Sequence, residues 1–284
     1  MEQNFSVLGD IATVRGATPI RFAHQLGPDH PDSHTLHLNN YLEIYVYVRG
    51  NHHYMVENRI YELQRGDVVL IDPRQVHKAL PLSPCLYERF YLLVDARCLS
   101  GLAVDPLGSI LHAGNLLSPP AQLREQVLQL LYGISDCFAG GHNRQTQALG
   151  LTLQLLDICS RLCTGEPRST APAPALLERI LTYVADNTAS IQSTSQIADA
   201  LGLSPQYLST YFSKRIGTPL KTYIQAKKIA LAKELLDKGS DVTGACFDSG
   251  FNDCSYFIRV FKKYVGETPL HYKSKIAAGE ITQK

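Results

Sequence analysis

Gly250-Phe251-Asn252-Asp253-Cys254-Ser255-Tyr256-Phe257-Ile258-Arg259-Val260-Phe261-Lys262-Lys263 is the stretch on which the fold of this chain turns. Glycine enters the left-handed backbone region without steric cost, so Gly250 marks a tight turn. Phe251 follows as an apolar plug, and Asn252 or Asp253 supplies a cap oxygen for the helix that comes next. Phe257 and Phe261, four apart, define the buried side of that helix. Upstream, Val242 and Cys246 line a shorter helix. The stretch therefore reads as helix, glycine turn, helix.

A matching copy stands about 48 residues earlier. Ser193 to Ser195 offer an N-cap, Ile197, Ala198 and Leu201 share one helix face, and Gly202 turns the chain. Leu203 plugs the core, and Ser204-Pro205 pairs a cap with a proline at the first helical position. Leu208 and Phe212 then face inward, which turns Gln206, Ser209 and Thr210 outward. Between the copies, Thr218-Pro219 opens a longer helix through Tyr223, Lys227, Leu231 and Leu236, and Gly239 closes it.

Three runs, Lys228 to Leu236, Gly250 to Lys263 and Gly266 to Tyr272, together resemble the C-terminal signature of the AraC family, and the likeness covers nearly all of residues 176–273. Departures are Lys228 for the usual arginine, Gly244 and Ala245 for larger residues, and Cys246 for alanine. They weaken the first helix of the second unit. The resemblance implies that both second helices enter successive major-groove segments. In the first unit these are Gln206, Ser209 and Thr210, with Tyr207 nearby; in the second, Cys254, Ser255, Ile258 and Arg259. Glutamine can pair with adenine and arginine with guanine through two hydrogen bonds. Lys214, Arg215, Lys262 and Lys263 are placed for phosphate, with a solvated surface as the alternative.

At 284 residues the chain exceeds one typical core. Its net charge of +1 hides an asymmetry: residues 1–175 carry 13 basic against 16 acidic side chains, and residues 176–284 carry 14 against 10. A basic C-terminal third suits a DNA backbone. No apolar run approaches the roughly 18 residues of a membrane span, and the N-terminus lacks a signal-peptide layout, so a cytoplasmic protein without membrane partners is expected. The 7 cysteines are an odd count without a CxxC pair, so neither a disulfide framework nor a zinc ribbon is suggested; Cys159 and Cys163 read as buried thiols.

Residues 21–94 read as short strands punctuated by turns. Leu42, Ile44, Val46 and Val48 alternate with Glu43, Tyr45, Tyr47 and Arg49, the period of a strand. After Ser118-Pro119-Pro120 the period becomes helical, through Leu123, Val127, Leu131 and Ile134, then Leu149, Leu153, Leu156 and Cys159. The expected fold is α+β in two domains: an antiparallel sandwich or cupin-like barrel over 1–118, a helical dimerisation or packing segment over 119–164, a Pro-rich linker over 165–174, and an all-α double helix-turn-helix over 175–284. The linker is expected to separate two independent cores.

His37, Asn39 and Glu43, with His77 after Gly66-Asp67 and Pro73, resemble the cupin layout, which implies a metal bound by His-x-His, Glu and a later His. Here Asn39 replaces the second histidine, and an amide is a poor donor to a transition ion, so no metal and no cofactor are expected. Counting by two, His37, Asn39, Tyr41, Glu43, Tyr45, Tyr47 and Arg49 share a face. Inside a barrel that face suits a polyhydroxylated ligand such as a sugar, with His77 added; alternatively it meets solvent while Leu42, Ile44, Val46 and Val48 fill the core.

The leading expectation is a regulator, not an enzyme, that binds promoter DNA as a homodimer under a small polar effector, with RNA polymerase as a further partner. Two competing readings are a ligand-free cupin used as a dimerisation scaffold and a cupin enzyme fused to DNA-binding helices.

Overall fold

The computed structural model describes residues 5–13, 19–29, 34–99, 107, 110, 115–163 and 174–277. Strands β1 (Phe5–Ile11), β2 (Ile20–Asp29), β3 (Leu42–Arg49), β4 (His52–Val56), β5 (Arg59–Glu62), β6 (Val68–Ile71), β7 (His77–Pro81), β8 (Cys85–Val94) and β9 (Leu116–Leu117) form the N-terminal domain. They make a six-stranded sheet in the order β1-β2-β8-β3-β6-β9 and a three-stranded sheet β5-β4-β7. The pairings within them are antiparallel. Sequence patterning finds β2 to β8; β1 and the two-residue β9 escape it because neither alternates over enough positions to show a period.

Strand β3 decides the layering. Leu42, Ile44, Val46 and Val48 join Phe22, Phe90 and Leu92 in a core closed by two helices, α1 (Ala121–Phe138) and α2 (Gln145–Leu162), through Val127, Leu131, Leu155 and Leu156. Tyr45 and Tyr47, on the opposite face, join Tyr54, Tyr61, Tyr87, Val69 and Ile71 in a second core between the sheets. Leu42, Ile44, Val46 and Val48 thus fill a core, as one alternative had it, but the face opposite them does not meet solvent. It is covered on both sides, with only Arg49 exposed. The α1–sheet contact also contains a buried polar tether. Ser135 Oγ lies 3.0 Å from His24 Nδ1, and Glu88 Oε1 lies 3.0 Å from His24 Nε2. Leu156 is fully buried and Leu149 and Leu153 are half-buried against this same core. Burial also pushes the Cys159 thiol up to about 12, which keeps it inert.

Among the described residues seven helices make the C-terminal domain: α3 (Ala175–Asn187), α4 (Thr194–Leu201), α5 (Pro205–Ile216), α6 (Leu220–Asp237), α7 (Val242–Asp248), α8 (Cys254–Val265) and α9 (Pro269–Ala277). The caps explain the boundaries. Ser193, Ser204, Asp241 and Asp253 each accept the amide three residues on, a contact worth about 1 kcal/mol apiece. Gly202, Gly217 and Gly266 end α4, α5 and α8 in the left-handed region. Of the two candidate caps for α8, Asp253 is the one used.

One expectation is corrected. The apolar core of the C-terminal domain continues into Leu36, Leu38, Met55, Ile60, Val76 and Leu80 of the N-terminal one. The small sheet carries Met55, Ile60 and Leu80 on its outer side, and the segments leading into β3 and β7 add Leu36, Leu38 and Val76, so the two domains share a core instead of holding separate ones. Residues 165–173 of the expected linker lie outside the described residues. Among the described residues no helix is long and apolar enough to cross a membrane.

Candidate nucleic-acid interface and effector site

Helix α5 buries Leu208, Phe212 and Ile216. Geometry then leaves Gln206, Tyr207, Ser209 and Thr210 exposed, with Lys214 and Arg215 exposed in the last turn. Helix α8 buries Phe257, Val260, Phe261 and Val265 and exposes Ser255, Ile258, Arg259, Lys262 and Lys263. Cys254 departs from its expected outward position, because the first turn leans on the core and leaves its side chain half-buried there. Tyr256, missed in the sequence, is 37% exposed, and the Arg259 guanidinium lies 5.9 Å from its ring centroid. Their spacing of three was the available signal. Tyr207, 51% exposed, stacks on Tyr211 with 5.8 Å between centroids. Each second helix thus presents one polar and aromatic face with lysine or arginine at its C-terminal end.

Four of the predicted side chains converge, buried Glu43 and His77 with half-buried Asn39 and exposed His37 at the rim. The Asn39 amide donates to Glu43 Oε2, which lies 3.2 Å from His77 Nε2. The His37 and His77 rings meet with centroids 4.2 Å apart. Each imidazole donates its Nδ1 proton to a carbonyl, His37 to Thr35 and His77 to Gln75, both at 2.9 Å. With Nδ1 engaged on the backbone, each ring turns its Nε2 toward the cluster, that of His77 facing the Glu43 carboxylate. Burial works to raise the Glu43 carboxyl, but the hydrogen bond and charge of His77 outweigh it and hold the group below the ordinary range. His37, Glu43 and His77 bring their donor atoms within 4.8 Å of one another. That set suits a divalent transition ion except at its fourth place, where Asn39 offers an amide.

Tyr45 is buried and hydrogen-bonded through its hydroxyl to Tyr87, while Tyr47 donates to the Gly50 carbonyl at 2.6 Å. Burial raises the Tyr45 and Tyr54 hydroxyls above their ordinary range, so both stay protonated donors. Residues missed in the sequence close the far end. Asp29 Oδ2 accepts from His34 at 2.7 Å and from His52 at 2.6 Å. Arg89 donates to Gln25 and lies 5.0 Å from the Tyr87 ring centroid. Period-two counting along β8 would have placed Tyr87 and Arg89 together. A cleft of about 550 Å³ opens elsewhere, between the sheet edge and helices α3 and α6, with Leu42, Leu70, Leu231 and the Glu57–Lys227 ion pair in its wall.

The family model described as an AraC-like ligand binding domain matches residues 22–175, more than half of the chain, and one described as a helix-turn-helix domain matches residues 197–275. The chain is similar to the HTH-type transcriptional activator RhaR of Klebsiella pneumoniae, at 26% identity over 251 residues, 85% of this chain and 88% of that one. It is also similar to the HTH-type regulator YijO of Escherichia coli at 29% identity over 159 residues, 55% of this chain; there the match spans 54%, about half, of the relative. Among solved structures, a DNA-binding transcriptional dual regulator of Escherichia coli K-12 is 27% identical with a TM-score of 0.35, covering 39% of this chain and 99% of that one.

Proposed function

The chain belongs to the AraC family of DNA-binding transcription regulators, and on that premise we propose that its barrel senses a small polyhydroxylated molecule, of the sugar class, and passes the signal to a promoter. The observation that carries this reading is the convergence of half-buried Asn39 with buried Glu43 and His77 beside Tyr45 and Tyr54 in one polar cluster, called the lumen below. A carboxylate, an amide and imidazoles match hydroxyl groups, and tyrosine faces match a sugar ring. A ligand acts on DNA binding only through differential affinity for the arrangements of the two helix-turn-helix units. The base-reading set is Gln206, Tyr207, Ser209, Thr210, Ser255, Ile258 and Arg259, with Tyr256 added. We assign Lys214, Arg215, Lys262 and Lys263 to phosphate, and we place a homodimer on the promoter near RNA polymerase. The regulators RhaR and YijO support regulation over catalysis.

The test is a thermal-shift screen of monosaccharides and sugar acids on the full chain, followed by DNA titration with each hit. A specific binder raises the melting temperature by mass action and changes DNA affinity. Hits whose shift survives Glu43→Gln and Tyr45→Phe unaltered would move the effector out of the lumen. The cleft beside Lys227 favours a second location, because it is already open whereas the tyrosine rings of the lumen lie against one another. Leu231→Trp fills the cleft and separates the two locations.

A further inference from the structure

Both recognition helices end on side chains supplied by the N-terminal domain. The Lys78 ammonium, on β7, donates to the carbonyls of Ile216 at 2.9 Å and Gly217 at 2.8 Å and to Thr218 Oγ1 at 3.1 Å. Those are the last carbonyls of α5, where a helix carries its partial negative charge. The Asn40 amide donates to the Val265 carbonyl, the last of α8, at 3.1 Å. Asn40 is itself oriented from the other side, since Lys233 of α6 donates to its Oδ1 at 3.1 Å and to the carbonyls of Asn39 and Pro73 at 2.9 and 2.8 Å. Burial lowers Lys233 to about 8, so it remains a cation at neutral pH. Lys78 and Lys233 are each 1% exposed, out of reach of a DNA phosphate.

The two gripping residues have a common origin. Asn40 follows Asn39 and Lys78 follows His77, and Asn39 and His77 are members of the lumen cluster. A backbone bridge pairs His37 with His77 through two hydrogen bonds of 3.2 Å, which fastens these segments together. Along β7 successive side chains point to opposite sides, and the bend before β3 divides Asn39 from Asn40 likewise: one member of each pair serves the lumen and the next serves a recognition helix.

We propose that Lys78 and Asn40 are positioning residues through which the N-terminal domain sets the relative placement of the two recognition helices, and with it which DNA sequences the chain prefers. The route from a ligand rests on the lumen reading above: contacts made with Asn39 and His77 reach both grips across one peptide bond each. The grips themselves require no ligand, so they are tested without one.

The experiment uses the full chain and two probes, a duplex selected from a random library on the parent protein and a pool of unselected duplexes. Lys78→Met and Asn40→Ala are each expected to weaken binding to the selected duplex by about tenfold, as loss of preorganisation does, while leaving the unselected pool and its salt dependence unchanged. Hydrogen exchange should rise in residues 216–224 for Lys78→Met and in residues 265–272 for Asn40→Ala, each locally. Thr218→Val, which removes a single acceptor of Lys78, keeps the question open to test where Lys78→Met does not fold, and should give a smaller change of the same sign. Unchanged discrimination between the two probes in Asn40→Ala and in a folded Lys78 or Thr218 variant would overturn the proposal. So would an equal loss on both probes, which would mark a general loss of fold.

Discussion

The two helix-turn-helix units are built alike and held differently. Each has an oxygen cap, a left-handed glycine turn and a recognition helix of 12 residues. The first is gripped by a buried ammonium with three acceptors, the second by one half-buried amide. A charged hydrogen bond is worth about 1.5–3 kcal/mol and a neutral one about 1, so the N-terminal domain holds the first unit more firmly. The second is fastened instead from within its own domain. Lys228, in place of the arginine usual to the family, donates to the carbonyl of Ile191 at 2.7 Å and that of Gly250 at 2.6 Å, joining the approach to the first unit with the turn of the second. On the proposed route, the expectation is that a signal enters mainly through the first unit and reaches the second along α6.

The turn glycines break or sharpen this comparison most directly. A Cβ on Gly250, at φ +88°, would meet the carbonyl oxygen of Ala189 at 2.1 Å, whereas one on Gly202, at φ +69°, meets nothing within 4 Å. Gly250→Ala combines a left-handed penalty with overpacking and should cost roughly 2–5 kcal/mol in denaturant unfolding. A cost below that of Gly202→Ala would show that the second unit is not fastened at its turn.

On DNA, Arg259→Ala should remove about 1–3 kcal/mol and relax base preference at one operator position. Lys263→Ala should instead weaken all sequences about equally. Selection from a random library separates the two, and equal loss on specific and random duplexes would reassign Arg259 to the backbone.

Glu43→Gln should lower effector affinity by about 1–3 kcal/mol, the cost of an unmatched buried group. Calorimetry on a hit from the sugar screen measures it. If the signal enters through the first unit, the ligand-induced change in hydrogen exchange should be larger in α5 than in α8; the reverse order would invert the comparison.

Gly202→Ala, with open space around it, should cost only about 1 kcal/mol. The smallest expected effect is that of a chelator, which should leave the melting temperature unchanged because Asn39 weakens the donor set. Elemental analysis finding about one metal per chain, lost in His77→Ala, would replace the hydrogen-bonding reading of the lumen with a metal one.

The C-terminal half was legible because its signals are local. Caps, glycine turns and phenylalanines four apart each act within one or two helical turns, so their spacing survives in the sequence. The family signature gave the same answer, and only Cys254 and Tyr256 had to be reassigned. The lumen was half legible. Period-two counting put Asn39, Glu43, Tyr45 and Tyr47 on one side, but β3 is apolar enough on its other side to fill a core as well, so alternation alone did not say which side was inward. Two sheets and two helices, brought together from distant parts of the chain, cover both. Asp29, His34 and His52 stayed hidden for the same reason, since β2, a loop and β4 supply one residue each.

The sequence by itself determined that there are two helix-turn-helix units, where most of their helices start or stop, and, Cys254 and Tyr256 apart, which residues of the second helices face outward, because those depend on neighbours a few residues away. Only the tertiary structure decided that the domains share a core and that Lys78 and Asn40 end the two recognition helices. A lysine between a histidine and an alanine of a strand looks like any solvated lysine until a helix terminus with spare carbonyls, about 140 positions further along the chain, is folded against it and supplies the partners that make its burial favourable.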